Sequence, residues 1–324
     1  MVAVLRTAGE GVSFDCSLGW VEELIREGSA GELKDDDPGP SSVRIRVEPT
    51  RAAFDVRGWK RLSRGAWVRA EEIVVENACS SGFDLRLRCS LAGADFTYRW
   101  RPPARDRSAS WVLRSRFLLL ARAVLMQYPA LWWAGTRGRA PLHASAWTQG
   151  GSAPLVTAQS GIGRSTLLLK ELELGASATG DNLAVGDGAR LWGLVEPTRV
   201  EGGSGRRMTH GRREVLIAGS RVEAVDPDAV VVVERGQADP LLRPCSPQRA
   251  EVALVTSTYM AGELRRYWPF AATLTAGTGI GPAHPPVGEV ASTFASGRPT
   301  FLLALGEERG VCLSELLGTL EVAA

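Results

Sequence analysis

Lysine is almost absent from this sequence of 324 residues, which has three lysines against 35 arginines. The skew indicates the codon bias of a GC-rich genome, and the lysines are Lys34, Lys60 and Lys170. Excess charge of one sign is also missing, because the formal net charge is only +2. Without a broad basic field we expect neither nucleic acid nor a membrane surface as a partner.

Cysteine is scarce, and no apolar run is long enough to suggest a membrane span. The five cysteines show no C-x-x-C spacing, and no signal peptide is recognised. This pattern argues against a disulfide framework or a zinc site and fits a reducing cytoplasm. The apolar stretch from Phe117 to Met126 is interrupted by Arg122 and falls short of the roughly 20 residues that span a bilayer. We therefore expect a cytoplasmic protein.

The sequence otherwise has the composition of an ordinary globular protein, with 44% hydrophobic and 23% charged residues. Single hydrophobic cores stop growing near roughly 250 to 300 residues, so two domains are expected. Residues 1–105 are predicted to form a β-rich domain that binds a substrate or partner. Residues 106–140 are predicted to form a linking helix, and residues 141–324 the second domain.

Hydrophobic periodicity predicts an α/β protein, α+β overall. Apolar residues alternate with polar ones from Val43 to Trp100, which predicts an antiparallel meander with one solvent-exposed face. In the second half, predicted strands alternate with helices, which indicates a mixed sheet flanked by helices. The predicted strands there are Leu155–Ala158, Leu183–Val185, Ala229–Glu234 and Phe301–Leu305, and the predicted helices are Arg164–Leu174, Ser257–Thr275 and Leu313–Val322.

A modified phosphate-binding loop follows the first of these strands. The pattern G-x-x-x-x-G-K-[ST] binds phosphates through backbone N–H groups and its Lys, and magnesium through its hydroxyl. Here Ala158 replaces the first Gly and Arg164 replaces the Lys, which exchanges a point charge for a planar fork. A glycine-rich turn without a nucleotide is the alternative. The predicted nucleotide-binding residues are Ser160, Gly161, Ile162, Gly163, Arg164, Ser165 and Thr166.

Four motifs between His143 and Val200 resemble, in order and spacing, the HPr kinase/phosphorylase family and its relatives that act as peptide or protein kinases. The resemblance implies an HPr kinase-like P-loop domain in residues 141–324, and it does not account for the meander. The motifs are Leu142-His143-Ala144-Ser145, the loop from Ser160 to Ser165, Thr179-Gly180-Asp181-Asn182, and Glu196-Pro197-Thr198-Arg199.

The resemblance implies a kinase that uses ATP and Mg²⁺. Asp181 would act as general base on a substrate hydroxyl and, with Ser165, would hold the metal ion. His143 would lie within reach of the transferred phosphate or of Asp181, and Arg199 would stabilise the charge that develops in the transition state. Asn182 stands where the family has a second carboxylate. Each of these residues also has a simpler interpretation when it is taken singly. Asp181 and Asn182 would lie in a solvent-facing turn, His143 would be a core or surface imidazole, and Arg199 would form a surface salt bridge.

The basic, glycine-rich stretch from Glu201 to Arg213 has two interpretations. In the first, the stretch closes over the phosphates or binds an acidic peptide substrate. In the second, it is a solvated loop whose arginines reflect only the composition typical of the genome. Its candidate substrate-binding residues are Arg206, Arg207, His210, Arg212 and Arg213. The family's habit of assembling favours a homo-oligomer.

Three functions remain open at this stage. The favoured one transfers the terminal phosphate of ATP to a Ser or Thr hydroxyl of a peptide or small protein, for example in peptide or natural-product biosynthesis. It depends on the joint presence of Asp181 and His143. The second is a degenerate relative that binds a ligand or partner, which the exchanges at Ala158, Arg164 and Asn182 support. The third is a transfer reaction on a phosphorylated or nucleotide-linked substrate whose phosphate Arg164 clamps.

Overall fold

The computed structural model describes residues 1–35, 41–201, 212–215, 220–236, 239–306 and 311–323. The chain divides into two units: the first is built mainly from Met1–Arg137 and Arg266–His284, and the second from Gly138–Ser204, Glu214–Arg265 and Pro285–Ala324. The main segment of the first unit ends at Arg137, and the predicted second domain begins at residue 141. Residues 106–137, however, belong to the first unit and do not form a separate linker. The predicted role of each domain stays a prediction.

One large sheet organises the first unit. Within the described residues it has the strand order β3-β1-β2-β4-β9-β8-β7-β6-β5. Its strands are β1 (Val2–Thr7), β2 (Glu10–Cys16), β3 (Lys34–Asp35), β4 (Val43–Glu48), β5 (Lys60–Ser63), β6 (Ala66–Arg69), β7 (Glu72–Val75), β8 (Phe83–Ser90) and β9 (Gly93–Trp100).

The predicted meander is confirmed from β5 to β9, where successive strands pair antiparallel. It is wrong at β4, which runs parallel to both β2 and β9. A parallel pair needs a crossover connection, and helix α1 (Gly19–Gly28) lies in the chain between β2 and β4. Apolar alternation indicates which face of a strand is buried, but it does not indicate the direction of the neighbouring strand.

Helical segments follow the sheet in the chain: α2 (Ala104–Val112), α3 (Arg114–Arg122), a π-helical turn (Ala123–Gln127) and α4 (Tyr128–Gly135). They pack on the first sheet, because the Tyr98 hydroxyl donates to the Val124 carbonyl over 2.7 Å and the Trp132 ring lies 5.9 Å from that of Phe96. This packing places residues 106–137 in the first unit.

The run Arg114–Gly135 differs from the expectation that no segment could span a membrane. It is a helix of 22 residues whose most apolar window of 18 residues has a mean hydropathy of 1.2, so its length and composition alone would allow it to cross a bilayer. Of its most apolar window, 78% is buried inside the protein, as in the core helix of a globular unit.

The second half of the chain contains shorter strands and the remaining helices. The helices are α5 (Arg164–Glu173), α6 (Pro247–Met260), α7 (Tyr267–Thr278), α8 (Val287–Ser296) and α9 (Leu313–Ala323). The strands are β10 (Ala140–Leu142), β11 (Ala144–Thr148), β12 (Pro154–Ala158), β13 (Ser177–Ala178), β14 (Ala184–Gly186), β15 (Leu191–Gly193), β16 (Thr198–Glu201), β17 (Arg212–Val215), β18 (Ser220–Arg221), β19 (Ala224–Val225), β20 (Ala229–Arg235), β21 (Leu241–Pro244) and β22 (Thr300–Leu305).

A mixed sheet forms the core of the second unit, which confirms the predicted α/β class. Among the described residues its order is β18-β13-β11-β12-β20-β22-β21, and β12, β20 and β22 run parallel. Residues 229–233 of β20 are all buried, as expected for a central parallel strand with both faces covered. A second sheet has the order β10-β14-β15-β19.

The predicted continuous helix Ser257–Thr275 is wrong. Helix α6 ends at Met260, and Ala261 has an extended backbone with ψ of 118°. A new helix, α7, begins at Tyr267 and belongs to the first unit. Apolar spacing continues across this break, so the periodicity did not reveal it.

A close backbone approach fixes the turn that carries Asp181. A Cβ atom on Gly193 of β15 would lie 1.8 Å from the Thr179 carbonyl oxygen, so only glycine fits there. The Thr179 N–H donates to the Ala146 carbonyl over 2.9 Å. Thr179 is therefore held between β11 and β15, directly before the turn.

We predict that Gly193→Ala destabilises the protein by about 3 kcal/mol, because the added methyl must push two backbones apart. Thermal unfolding followed by circular dichroism measures the effect. Gly318→Ala is the matched control, since a Cβ at this helical position meets nothing within 4 Å and should be neutral or stabilising. Equal unfolding temperatures for the two variants would show that the backbones do not approach so closely.

Candidate functional site

The predicted strand–loop–helix arrangement is present at residues 154–173. Strand β12 ends at Ala158, and helix α5 begins at Arg164. Gly161 and Gly163 have φ values of 85° and 126°, in the left-handed region that favours glycine. The first N–H groups of a helix lack partners within it, and its N-terminus attracts anions. The loop thus has the backbone geometry expected of an anion-binding turn.

The seven predicted nucleotide-binding residues differ in exposure. Ser160, Gly161 and Thr166 are exposed, and Ile162, Gly163 and Ser165 are half-buried. Arg164 alone among the seven is buried, with 7% of its surface exposed. The loop therefore presents backbone and hydroxyl groups to solvent and keeps its one charged side chain inside.

The guanidinium of Arg164 is held by the strand junction before the loop and by the turn after α5. Its Nη1 donates to the His143 carbonyl over 2.8 Å. Its Nη2 lies 3.0 Å from His143 Nε2, 3.2 Å from the Asn182 carbonyl oxygen and 3.3 Å from Asn182 Oδ1. Three of the four motifs thus meet at one side chain.

His143 is a buried, neutral partner of this cation. It lies between β10 and β11, its backbone N–H donates to Thr258 Oγ1 over 3.0 Å, and its Nε2 is 3.1 Å from Asn182 Oδ1. Burial, together with the charge of Arg164, lowers the pKa of His143 from 6.5 to about 3. At neutral pH the imidazole therefore carries no charge.

Asp181 is a buried carboxylate beside the same cluster, with 4% of its surface exposed. Its Oδ1 has no hydrogen-bond partner in the part of the chain that the structure describes. Burial lowers the pKa of Arg164, and the charge of Asp181 is the largest effect that opposes this lowering. A buried acceptor without a partner is costly, which makes this oxygen a candidate for contact with a ligand or proton.

Arg199 is a member of a buried ion-pair cluster. Its Nη2 lies 3.0 Å from Glu196 Oε2, and its Nη1 pairs with Glu263. Burial alone would lower the pKa of Arg199, but the charges of Glu196 and Glu263 raise it overall. Its guanidinium is therefore oriented by carboxylates of the protein, and its predicted role in the transition state stays a prediction.

A cleft of about 530 Å³ adjoins the loop at the carboxyl ends of β12 and β20. Gln159 and Ile162 of the loop line it, together with residues 232–235 of β20 and Arg249 and Val252 of α6. This volume lies within the roughly 300 to 1,000 Å³ of common ligand sites, and the carboxyl ends of parallel strands are the usual place for them.

The predicted magnesium ligands do not form a closed protein cage. Within the described ranges no group of three or more His, Cys, Asp or Glu side chains is placed to hold a metal ion. Nucleotide-bound Mg²⁺ usually takes only one or two protein ligands and completes its shell with phosphates and water. Asp181, with its unpartnered oxygen, and the half-buried Ser165 fit that kind of site.

The predicted substrate-binding stretch falls largely outside the described residues. Arg206, Arg207 and His210 lie there, as does the side chain of Arg212, and Arg213 is exposed. Two residues of the site were missed from the sequence. Glu263 is 64 positions from Arg199, so no local signal indicated it. Arg235 ends a strand of buried valines, and a charged residue at the end of an apolar strand is a local signal for a ligand-binding position.

Comparisons with known proteins give little further support. No protein-family model and no curated protein matches the chain. Among solved structures, the chain is similar to the HPr(Ser) kinase/phosphatase from Coxiella burnetii with 17% identity and a TM-score of 0.25. The similarity covers 32% of this chain and 76% of that one.

We predict that Arg164→Lys destabilises the protein by about 2 kcal/mol, because one ammonium group cannot reach acceptors on both His143 and Asn182. Urea unfolding measures the change. Arg190→Lys is the control, since the Arg190–Asp226 pair is exposed and its loss should cost less than about 1 kcal/mol. Equal effects of the two substitutions would contradict the internal position of the Arg164 guanidinium.

The buried neutral imidazole predicts a pH dependence of stability. The pKa of His143 falls from 6.5 to about 3 on folding. Between these two pH values the imidazole is therefore protonated in the unfolded chain and neutral in the folded protein. The stability that neutral His143 contributes is complete above about pH 6.5 and declines by ~1.4 kcal/mol per pH unit as the pH falls towards 3.

We therefore expect the difference in unfolding free energy between wild type and His143→Gln to shrink by about 2 kcal/mol from pH 7 to pH 5. Urea titrations at the two pH values measure it. The glutamine variant is the reference at each pH, because it lacks only the imidazole and keeps every other titrating group. A difference that stays constant would mean that His143 accepts a proton in the folded state.

Proposed function

We propose that the second unit binds ATP at residues 160–166 and transfers its terminal phosphate to a Ser or Thr hydroxyl of a peptide or small protein. The observation that carries this proposal is the convergence on Arg164 of the loop, His143 and the turn of Asp181 and Asn182. It brings a buried carboxylate to the start of the helix whose N-terminus favours phosphate.

Asp181 is the group proposed to remove the proton from the acceptor hydroxyl. The hydroxyl oxygen attacks the terminal phosphorus, the bond to the bridging oxygen of the second phosphate breaks, and ADP leaves. Oδ1 of Asp181 suits this role because it is an acceptor without a partner among the described residues. Base catalysis by a positioned side chain contributes roughly 10² to 10⁴ in rate.

His143 and Arg164 are proposed to position this carboxylate. Neutral His143 contacts both Arg164 and Asn182, so it fixes the turn next to Asp181 without adding charge. Arg164 places a buried positive charge near Asp181. Arg199, oriented by Glu196 and Glu263, is the proposed second cation of the site.

Magnesium is proposed to bind with the nucleotide, held by Ser165 and Asp181. When bound, the ion neutralises charge on the phosphates. The same proposal includes a cytoplasmic location, a homo-oligomeric state and a peptide or small protein as the partner, with neither nucleic acid nor a membrane as a partner.

A second candidate function is a ligand-binding module without catalysis. The burial of Arg164 favours it, because the position that normally supplies the phosphate-binding lysine points into the protein. Such a module would bind a nucleotide or another anion at the loop and leave it unchanged.

We predict that Asp181→Asn lowers phosphate transfer at least 100-fold, because it removes the base, and changes the affinity for ATP without Mg²⁺ less than threefold, because it keeps the shape of the side chain. Transfer is measured with γ-labelled ATP, Mg²⁺ and a peptide fraction from the source cells, and affinity by calorimetry. Asp226→Asn, at an exposed ion pair, is the control and should behave like wild type.

The outcomes separate the two functions. Transfer by wild type that Asp181→Asn abolishes supports the kinase. Transfer that survives the substitution rules out Asp181 as the base. ATP binding by wild type without any transfer favours the binding module, and the absence of nucleotide binding refutes the kinase.

A further inference from the structure

We propose that Arg235, at the end of β20, is the cation that contacts the bound phosphates in place of the residue at the usual lysine position. This inference rests on the proposed nucleotide site and deepens it by naming a phosphate-binding residue outside the loop. Three observations carry it: the engagement of Arg164, the place of Arg235 and the lining of the adjoining cleft.

Arg164 is engaged inside the protein. Both terminal nitrogens of its guanidinium contact acceptors of His143 or Asn182, and only 7% of the residue is exposed. Turning it outward would break its hydrogen bonds to the His143 carbonyl and to both oxygens of Asn182, which is costly in a buried place. A phosphate at the loop therefore needs its cation from another element.

Arg235 lies where such a cation is needed. In the parallel register of β12 and β20, Ala158 is opposite Val233, so Arg235 stands two residues beyond the point where β12 gives way to the loop. Its Nη2 is 3.5 Å from the carbonyl oxygen of Gly161, at the outer limit of a hydrogen bond. The exposed guanidinium thus lies against the loop itself.

The other charges of the cleft leave Arg235 as its available cation. Arg249 forms an ion pair with Glu234, whose two carboxylate oxygens lie 3.0 and 2.8 Å from Arg249 Nη2. For Arg235, no ion pair with a carboxylate is seen among the described residues. A planar guanidinium binds phosphate through two parallel hydrogen bonds, which suits this position.

The cleft also has room for the uncharged part of a nucleotide. Val232 and Val252 provide apolar lining, and Val252 is 56% exposed without a ligand to cover it. A ligand with an anionic end at the loop and an apolar, planar end against α6 fits this lining. That combination is the chemistry of a nucleoside triphosphate.

Calorimetry of the full chain with ATP, ADP and adenosine, each with Mg²⁺, tests the inference. We expect Arg235→Gln to weaken ATP binding at least 10-fold and adenosine binding less than twofold, and Arg235→Lys to restore part of the ATP affinity. Arg243→Gln is the matched control, an exposed arginine on the neighbouring edge strand β21, and should bind like wild type. Circular dichroism checks that each variant is folded.

Each outcome decides one of the two proposals. If wild type binds ATP and Arg235→Gln binds it equally well, the role of Arg235 is overturned and the proposed function stands. If Arg235→Gln weakens ATP and adenosine by the same factor, Arg235 shapes the cleft and does not bind phosphate. If wild type binds neither ATP nor ADP, the proposed function fails and the inference fails with it.

Discussion

The burial of the Arg164 guanidinium is the constraint on which the candidate site depends. A buried cation is tolerated only when its donors find acceptors and opposite charges lie near. Here the His143 carbonyl and two oxygens of Asn182 accept, and Asp181 supplies opposite charge. His143 is neutral because it is buried and because a second cation beside the guanidinium would be repelled. Exposed ion pairs elsewhere in the chain impose no comparable condition.

Two exchanges in different motifs, one in the phosphate loop and one in the turn after α5, are connected through this contact. Arg164 stands in place of a lysine and Asn182 in place of a carboxylate, and they lie 3.3 Å apart through Nη2 and Oδ1. A longer, forked side chain reaches further into the protein than lysine would, and a neutral amide there accepts its hydrogen bond without adding charge. The two exchanged residues therefore form a single interaction with each other. This interaction holds the side chain of Arg164 inside the protein, while the loop has the backbone geometry of an anion-binding turn.

Local features of the site could be predicted from the sequence, and long-range ones could not. The strand, loop and helix around Arg164 follow from adjacent residues, whereas the 3.1 Å contact from His143 to Asn182 joins residues 39 positions apart. The direction of the Arg164 side chain depends on partners 18 and 21 positions away. The pairing of Arg199 with Glu263, and the parallel insertion of β4, likewise depend on contacts between distant segments, which hydrophobic periodicity does not encode.

Glu263 connects the two buried charge clusters. It pairs directly with Arg199. The pKa values of Arg164 and His143 are lowered overall by burial, and the charge of Glu263 opposes this lowering in both. Its own pKa, which burial would raise, is lowered overall because the charge and hydrogen bond of Arg199 favour the ionised carboxylate. One carboxylate in the turn after α6 therefore acts on the histidine, the loop arginine and the second arginine at once. Replacing the Glu263 carboxylate by a neutral side chain would therefore alter the electrostatic surroundings of both Arg164 and Arg199, although only Arg199 pairs with it directly.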